Sequence, residues 1–254
     1  MARSIDPAPK AVRGFVPARN DEERYLMRHI EDLARTASSR GIARYSGFLS
    51  DREQQLAQAA LNRTDMPEDE IRFDGGWPGA ERKLLCLEPV DSYPASPLCC
   101  VRLQCRALPG AQLPVHKDYL GSLMGLELRR EALGDIVLPE DQLGVAYVFA
   151  LEPAAELICQ ELRQAGHTDL TAEMQPLETL PAFPQAERPR QTATVSSLRL
   201  DAVLAAMLRC SRGMAAELVT AGRVEINHLP AESVHAPVYE DDVFTVRGKG
   251  RFQL

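Results

Sequence analysis

"RLDAVLAAMLRCSRGMAAELVTAGRVEINH", residues 199–228, reads as two short helices followed by a strand. Leu200, Val203, Leu204, Met207 and Leu208 recur at the spacing that lines one face of a helix. Ser211 suits the N-cap of a second helix, because its hydroxyl can accept from an otherwise unpaired backbone N–H. Met214, Ala215, Leu218 and Val219 mark the inner face of that helix, and Gly222 supplies the left-handed residue that ends it. Val224 and Ile226 then alternate inward, Asn227 and His228 read as a tight hairpin turn, and "VFTVRG" (243–248) gives a last strand.

Charge follows this pattern unevenly. The 254-residue chain carries a formal net charge of -7. From Arg188 to the end, however, nine Lys and Arg stand against seven Asp and Glu, so this stretch is at +2 and the rest at -9. Arg199 opens the first helix, Arg212 opens the second, and Arg223 follows it. A helix N-terminus offers unpaired N–H groups and a partial positive charge, so Ser211 and Arg212 together suit a phosphate. Solvated surface arginines are the plainer alternative. Glu240, Asp241 and Asp242 would repel phosphate and are expected on the far edge.

Upstream, two proline-rich stretches, Glu88 to Pro97 and Thr179 to Ser197, mark domain edges. The first segment holds a helix over about Asp21 to Ser38 and a second helix opened by a capping box, Ser50 with Glu53. Two strands, "IRF" and "KLLCLEP", flank "DGGWPGAER". That glycine-rich piece reads as a turn, since no Gly-Lys-Ser/Thr and no helix follow it. The middle segment runs strand ("CVRLQC"), helix (His116 to Leu128), strand ("GDIVLP"), strand ("GVAYVFAL"), helix (Glu152, stopped by Gly166) and strand ("LTAEMQPLE"). This order predicts a ferredoxin-like sandwich, a topology shared with RNA-recognition motifs. Tyr147 stands where such a motif stacks a base, but the flanking positions hold Val145 and Ala150, so core packing competes with stacking.

Six cysteines without a Cys-x-x-Cys pair read as reduced thiols, and no metal site is expected. The N-terminus lacks the apolar core of a signal peptide, and the longest apolar run, Leu143 to Leu151, is too short to span a bilayer. A cytoplasmic protein with no membrane span is the expectation.

Taken together, Arg-Leu-Asp, Ser-Arg, Ala-Gly-Arg-Val, Asn and Lys-Gly-Arg resemble the S4 RNA-binding domain. That resemblance implies an RNA-facing set of Arg199, Ser211, Arg212, Arg223, Asn227, Lys249 and Arg251. His228 departs from it, standing where the family prefers Gly. Upstream, "FLSDREQQLA", "FDGGWPGAERK" and "HKDYLGSLMGLELRREALGDIVL" resemble the YlmH family of bacterial S4-domain proteins. The fold class so implied is α+β in three parts. These are an N-terminal helical α/β domain over 1–90, a ferredoxin-like (RRM-like) domain expected to bind RNA over 91–180, and an S4 domain over 190–254. The last is an αL motif, two helices packed on a small sheet.

The resemblance implies RNA as partner, as rRNA or tRNA of the large ribosomal subunit, in rescue of stalled peptidyl-tRNA complexes. In some bacteria it implies a link to cell division. No catalytic residue, metal or small-molecule cofactor is expected. Two other functions compete with the non-catalytic reading. Arg199-Leu200-Asp201 is superficially like a pseudouridine-synthase motif, but it falls inside the S4 helix and no separate catalytic domain accompanies it. No Gly-x-Gly-x-x-Gly follows a strand, which disfavours a cofactor-binding methyltransferase. A protein-interaction module linked to cell division is the remaining alternative.

Overall fold

In a computed structural model of the chain, the described residues are 18, 20–106, 113–183, 191–226, 229–231, 233–239 and 242–254. They fall into two compact units, Met1–Ala186 and Glu187–Leu254.

The first unit begins with α1 (Asp21–Arg40), β1 (Arg44–Leu49), α2 (Asp51–Leu61), β2 (Ile71–Asp74) and β3 (Lys83–Leu87). The sheet order is β1-β3-β2, all antiparallel. The Ser50–Glu53 capping box forms, with the Glu53 carboxylate accepting from the Ser50 N–H at 2.6 Å. A second sheet follows: β4 (Leu98–Cys105), α3 (His116–Met124), β5 (Leu133–Val137), β6 (Val145–Leu151), α4 (Glu152–Glu161), β7 (Gln164–Ala165) and β8 (Thr168–Gln175). Its order, β5-β6-β4-β8-β7, contains the ferredoxin-like arrangement with the small strand β7 added at one edge.

Two helices end earlier than their apolar periodicity suggests. α3 stops at Met124, and Glu127 at φ 57 turns the chain aside. α4 stops at Glu161, and Gly166 instead supplies the positive φ of the turn between β7 and β8. The strand β1 is an addition to the elements expected from sequence.

β3 and β6 are continuous apolar runs because each is covered on both faces. From β3, Leu85 and Leu87 meet α1 and α2, while Leu84 and Cys86 face the second sheet. From β6, Ala146, Val148 and Ala150 meet α3 and α4, while Val145, Tyr147 and Phe149 face the first sheet. The unit is therefore layered as helices, sheet, sheet, helices. Phe183 returns over this interface, with its ring centroid 5.1 Å from that of Tyr147 and 5.6 Å from that of Trp77. Tyr147 is buried, so core packing is the outcome and its ring is not open to a base.

Arg82 closes the seam between the sheets. Its guanidinium donates to the carbonyls of Phe48 (2.8 Å) and Leu133 (3.0 Å), and the Arg82 and Glu81 N–H groups donate to the Asp135 carboxylate. The "DGGWPGAER" turn has a structural purpose here. Gly76, at φ +85, lies against Phe149 so closely that a Cβ would sit 2.5 Å from the ring.

Gly76→Ala should therefore cost about 2–4 kcal/mol in urea unfolding, combining left-handed strain with overpacking. Gly41→Ala, at φ +60 with nothing within 4 Å, should cost only the strain, about 1 kcal/mol. Equal losses at the two positions would remove the Phe149 contact as the cause.

Candidate nucleic-acid interface

The second unit holds α5 (Leu200–Leu208), α6 (Arg212–Thr220), β9 (Val224–Ile226), β10 (Leu229–Pro230), β11 (Val243–Val246) and β12 (Gly250–Gln253). The sheet order is β10-β9-β11-β12, antiparallel throughout. Leu200, Val203, Leu204, Ala215, Val219, Val224, Phe244 and Val246 form its core. Met214, expected on the inner face of α6, is instead 55% exposed in the first turn. "VFTVRG" is not the last strand, since β12 follows it and carries Arg251.

Both helices end in the same hydrogen-bond closure. At α6, Gly222 (φ 64) donates to the Val219 carbonyl and Arg223 to the Leu218 carbonyl, at 2.9 and 3.0 Å. At α5, Arg209 takes the left-handed position, φ 51, and Cys210 donates to the Ala205 carbonyl at 3.0 Å. Arginine there carries a Cβ penalty that glycine avoids.

Ser211 caps α6 as expected, its hydroxyl accepting from the Met214 N–H at 3.2 Å. Arg212, at the first position of α6, donates to the Ser196 hydroxyl at 2.6 Å. Arg199 grips the buried Asp201 carboxylate with Nε and Nη2, both at 3.1 Å, and Nη2 also meets His235 Nδ1. Burial pushes the Asp201 carboxyl up, but the Arg199 hydrogen bond and the charges of Arg199, Arg212 and His235 outweigh it and hold the group below its usual range. Arg199, Ser211 and Arg212 are thus brought together near the start of the two helices.

Arg223 lies at the other end of α6. Its carbonyl accepts from the Arg247 N–H at 2.9 Å, and its guanidinium lies beside Gly248 in the turn that carries Lys249. Arg251 stands apart: it pairs with Thr245, which pairs with Glu225, on the sheet face away from the core. Asn227 and the Asn227–His228 turn lie outside the described residues, as do Glu240 and Asp241. The nine residues of α6, a rise of about 13 Å, separate the backbones of Arg212 and Arg223. One phosphate cannot reach both. The arrangement offers donors and positive charge at two stations, which suits an extended anion.

An S4 domain matches residues 198–244, which span α5, α6, β9, β10 and the start of β11. The ribosome-associated protein quality control protein P2 of Bacillus subtilis (strain 168) is 32% identical over 239 residues, 93% of this chain and 89% of the relative. The chain belongs to the YlmH family. A solved structure, the cell division protein ylmH from Streptococcus pneumoniae, aligns with 66% of this YlmH-family chain and 99% of its own, at 13% identity and a TM-score of 0.49.

Several residues of this YlmH-family surface escaped the sequence reading. Arg209 and Arg247 are exposed cations beside the two stations. His235 meets Arg199 from 36 residues away. Its only sequence signal is the alternation of the 234–239 segment, in which Val234, Ala236 and Val238 pack inward. Among the described residues, no helix is long and apolar enough to cross a membrane. No group of three or more His, Cys, Asp or Glu among them is placed to hold a metal ion.

A carboxyl held below its usual range adds stability above its unfolded pKa, about 4, and loses it as pH falls through the folded value. Asp201→Asn should therefore cost about 1–3 kcal/mol at neutral pH. The deficit should close below about pH 4. Thermal melts of both proteins across that range check it, and a deficit unchanged by acid would exclude the ionic origin. Arg209→Gly should raise stability by about 1 kcal/mol, read as a higher melting temperature.

Proposed function

We propose that this protein is a non-catalytic RNA-binding factor of the ribosome that grips RNA backbone through its C-terminal unit. The observation that carries the reading is the pair of cationic stations at opposite ends of α6, a helix inside the stretch that matches an S4 domain. Arg199, Ser211 and Arg212 serve one station, and Arg223 with Lys249 serves the other. Arg251 and Asn227 complete the proposed RNA-facing set. The sequence relationship to a ribosome-associated quality control protein supports a place on the ribosome, which the proposal assigns to the large subunit. There it meets rRNA or the tRNA of a stalled peptidyl-tRNA complex, in the cytoplasm.

The geometry of Asp201 favours this over catalysis. Both carboxylate oxygens are engaged by Arg199 and the residue is buried, so the acid of the Arg-Leu-Asp tripeptide braces an arginine and does not point at a substrate.

Co-sedimentation with ribosomal subunits across a salt series tests the reading. Removing one phosphate-binding cation should make the plot of log K against log salt shallower by about 0.9. Arg212→Ala and Arg223→Ala should each weaken binding, and their free-energy effects should add, because the two groups are too far apart to share a partner. A double variant that binds as tightly and as salt-sensitively as wild type would overturn the assignment.

A further inference from the structure

The segment between β10 and β11 presents a second kind of surface. Val234, Ala236 and Val238 pack into the core of the C-terminal unit, while His235, Pro237 and Tyr239 face out. Arg199 joins this outward row, pairing with Pro237 as an antiparallel bridge and donating to His235 Nδ1. One exposed strip thus carries a guanidinium, an imidazole, a pyrrolidine ring and a phenol. Tyr239 is 52% exposed and takes part in none of the ring contacts among the described residues. Beside it, Leu198 is 56% exposed, and its carbonyl accepts from the Val238 N–H at 3.1 Å.

We infer that this strip is a platform for an unpaired nucleobase, with Tyr239 as the stacking ring. The inference rests on the RNA-binding reading of the unit and narrows its ligand. Charge separates base from backbone. Arg199 meets the strip at His235, while Tyr239 at its other end lies beside Asp242. The Asp242 carboxylate reaches back to the Tyr239 N–H at 2.8 Å. A phosphate is repelled from that end, whereas a neutral base is not. Arg212, hydrogen-bonded only to the neutral Ser196 hydroxyl among the described residues, keeps its charge for the backbone. Proteins hold splayed-out RNA bases on aromatic rings and guanidinium planes, and a continuous duplex keeps its bases hidden. The ligand is therefore structured RNA with a bulged or looped nucleotide beside helical backbone.

The test uses the full chain and two hairpin RNAs with the same stem, one fully paired and one with a single bulged 2-aminopurine. Wild type should prefer the bulged RNA about tenfold and quench the 2-aminopurine fluorescence on binding. Tyr239→Phe should keep both effects. Tyr239→Ala should bind the two RNAs equally, without quenching, and with the wild-type salt slope. Tyr239→Leu gives the same comparison if the alanine variant fails to fold. Arg212→Ala should lower the salt slope on both RNAs and keep the preference. A preference or quenching that survives in folded Tyr239→Ala, or that wild type lacks, overturns the platform and leaves the backbone reading standing. Absence of salt-dependent binding to either RNA overturns both.

Discussion

The burial of one sheet face by another constrains everything else in this protein. Tyr147 and Phe149 project from the ferredoxin-like sheet on the side where related topologies receive RNA, and here that side is filled by Phe48, Leu84 and Cys86 of the first sheet and by Phe183. Each large apolar side chain so buried contributes about 1.5–3 kcal/mol, and several together outweigh the roughly 1–3 kcal/mol of a single stacked base. The sheet therefore acts as core. The Arg82 bonds and the close fit of Gly76 on Phe149 are consequences, because two apposed sheets leave backbone carbonyls and a loop that must be satisfied at the seam.

With that face occupied, the proposed RNA surface is in the C-terminal unit, whose charge differs in sign from the rest of the chain. The net charge of -7 is an average over two unlike parts. An acidic body repels nucleic acid at long range, so the proposed binding would rely on close contacts at α5, α6 and the β11–β12 turn. Salt screens the repulsion by the body and the attraction by the arginines alike.

The parts of the fold that were legible in the sequence are those governed by local rules. The Ser50–Glu53 box, the Ser211 cap and the Gly222 closure each depend on a few adjacent residues, and all three form. What escaped depends on distant partners. "RYSGFL" carries Ser46 and Gly47 within β1 and has no clean alternation, and it is a strand because β3 pairs with it. Gly166 serves a hairpin that exists only because β7 finds β8. Arg199, Ser211 and Arg212 were readable as a set, but His235 joins them across a long loop that no spacing rule covers.

The Arg199–Asp201 pair also bears on how firmly the proposed RNA ligand can be held. A long arginine side chain normally loses rotamer freedom when it meets its ligand, at about 0.5–1.5 kcal/mol. Here Asp201 and His235 fix the guanidinium while the protein folds, and Nη1 is left without a protein partner among the described residues. The ordering cost is thus met by folding, and association adds no further penalty for that side chain. Arg199 is preorganised, and in the proposed RNA-binding reading its contact lengthens the residence time of the complex.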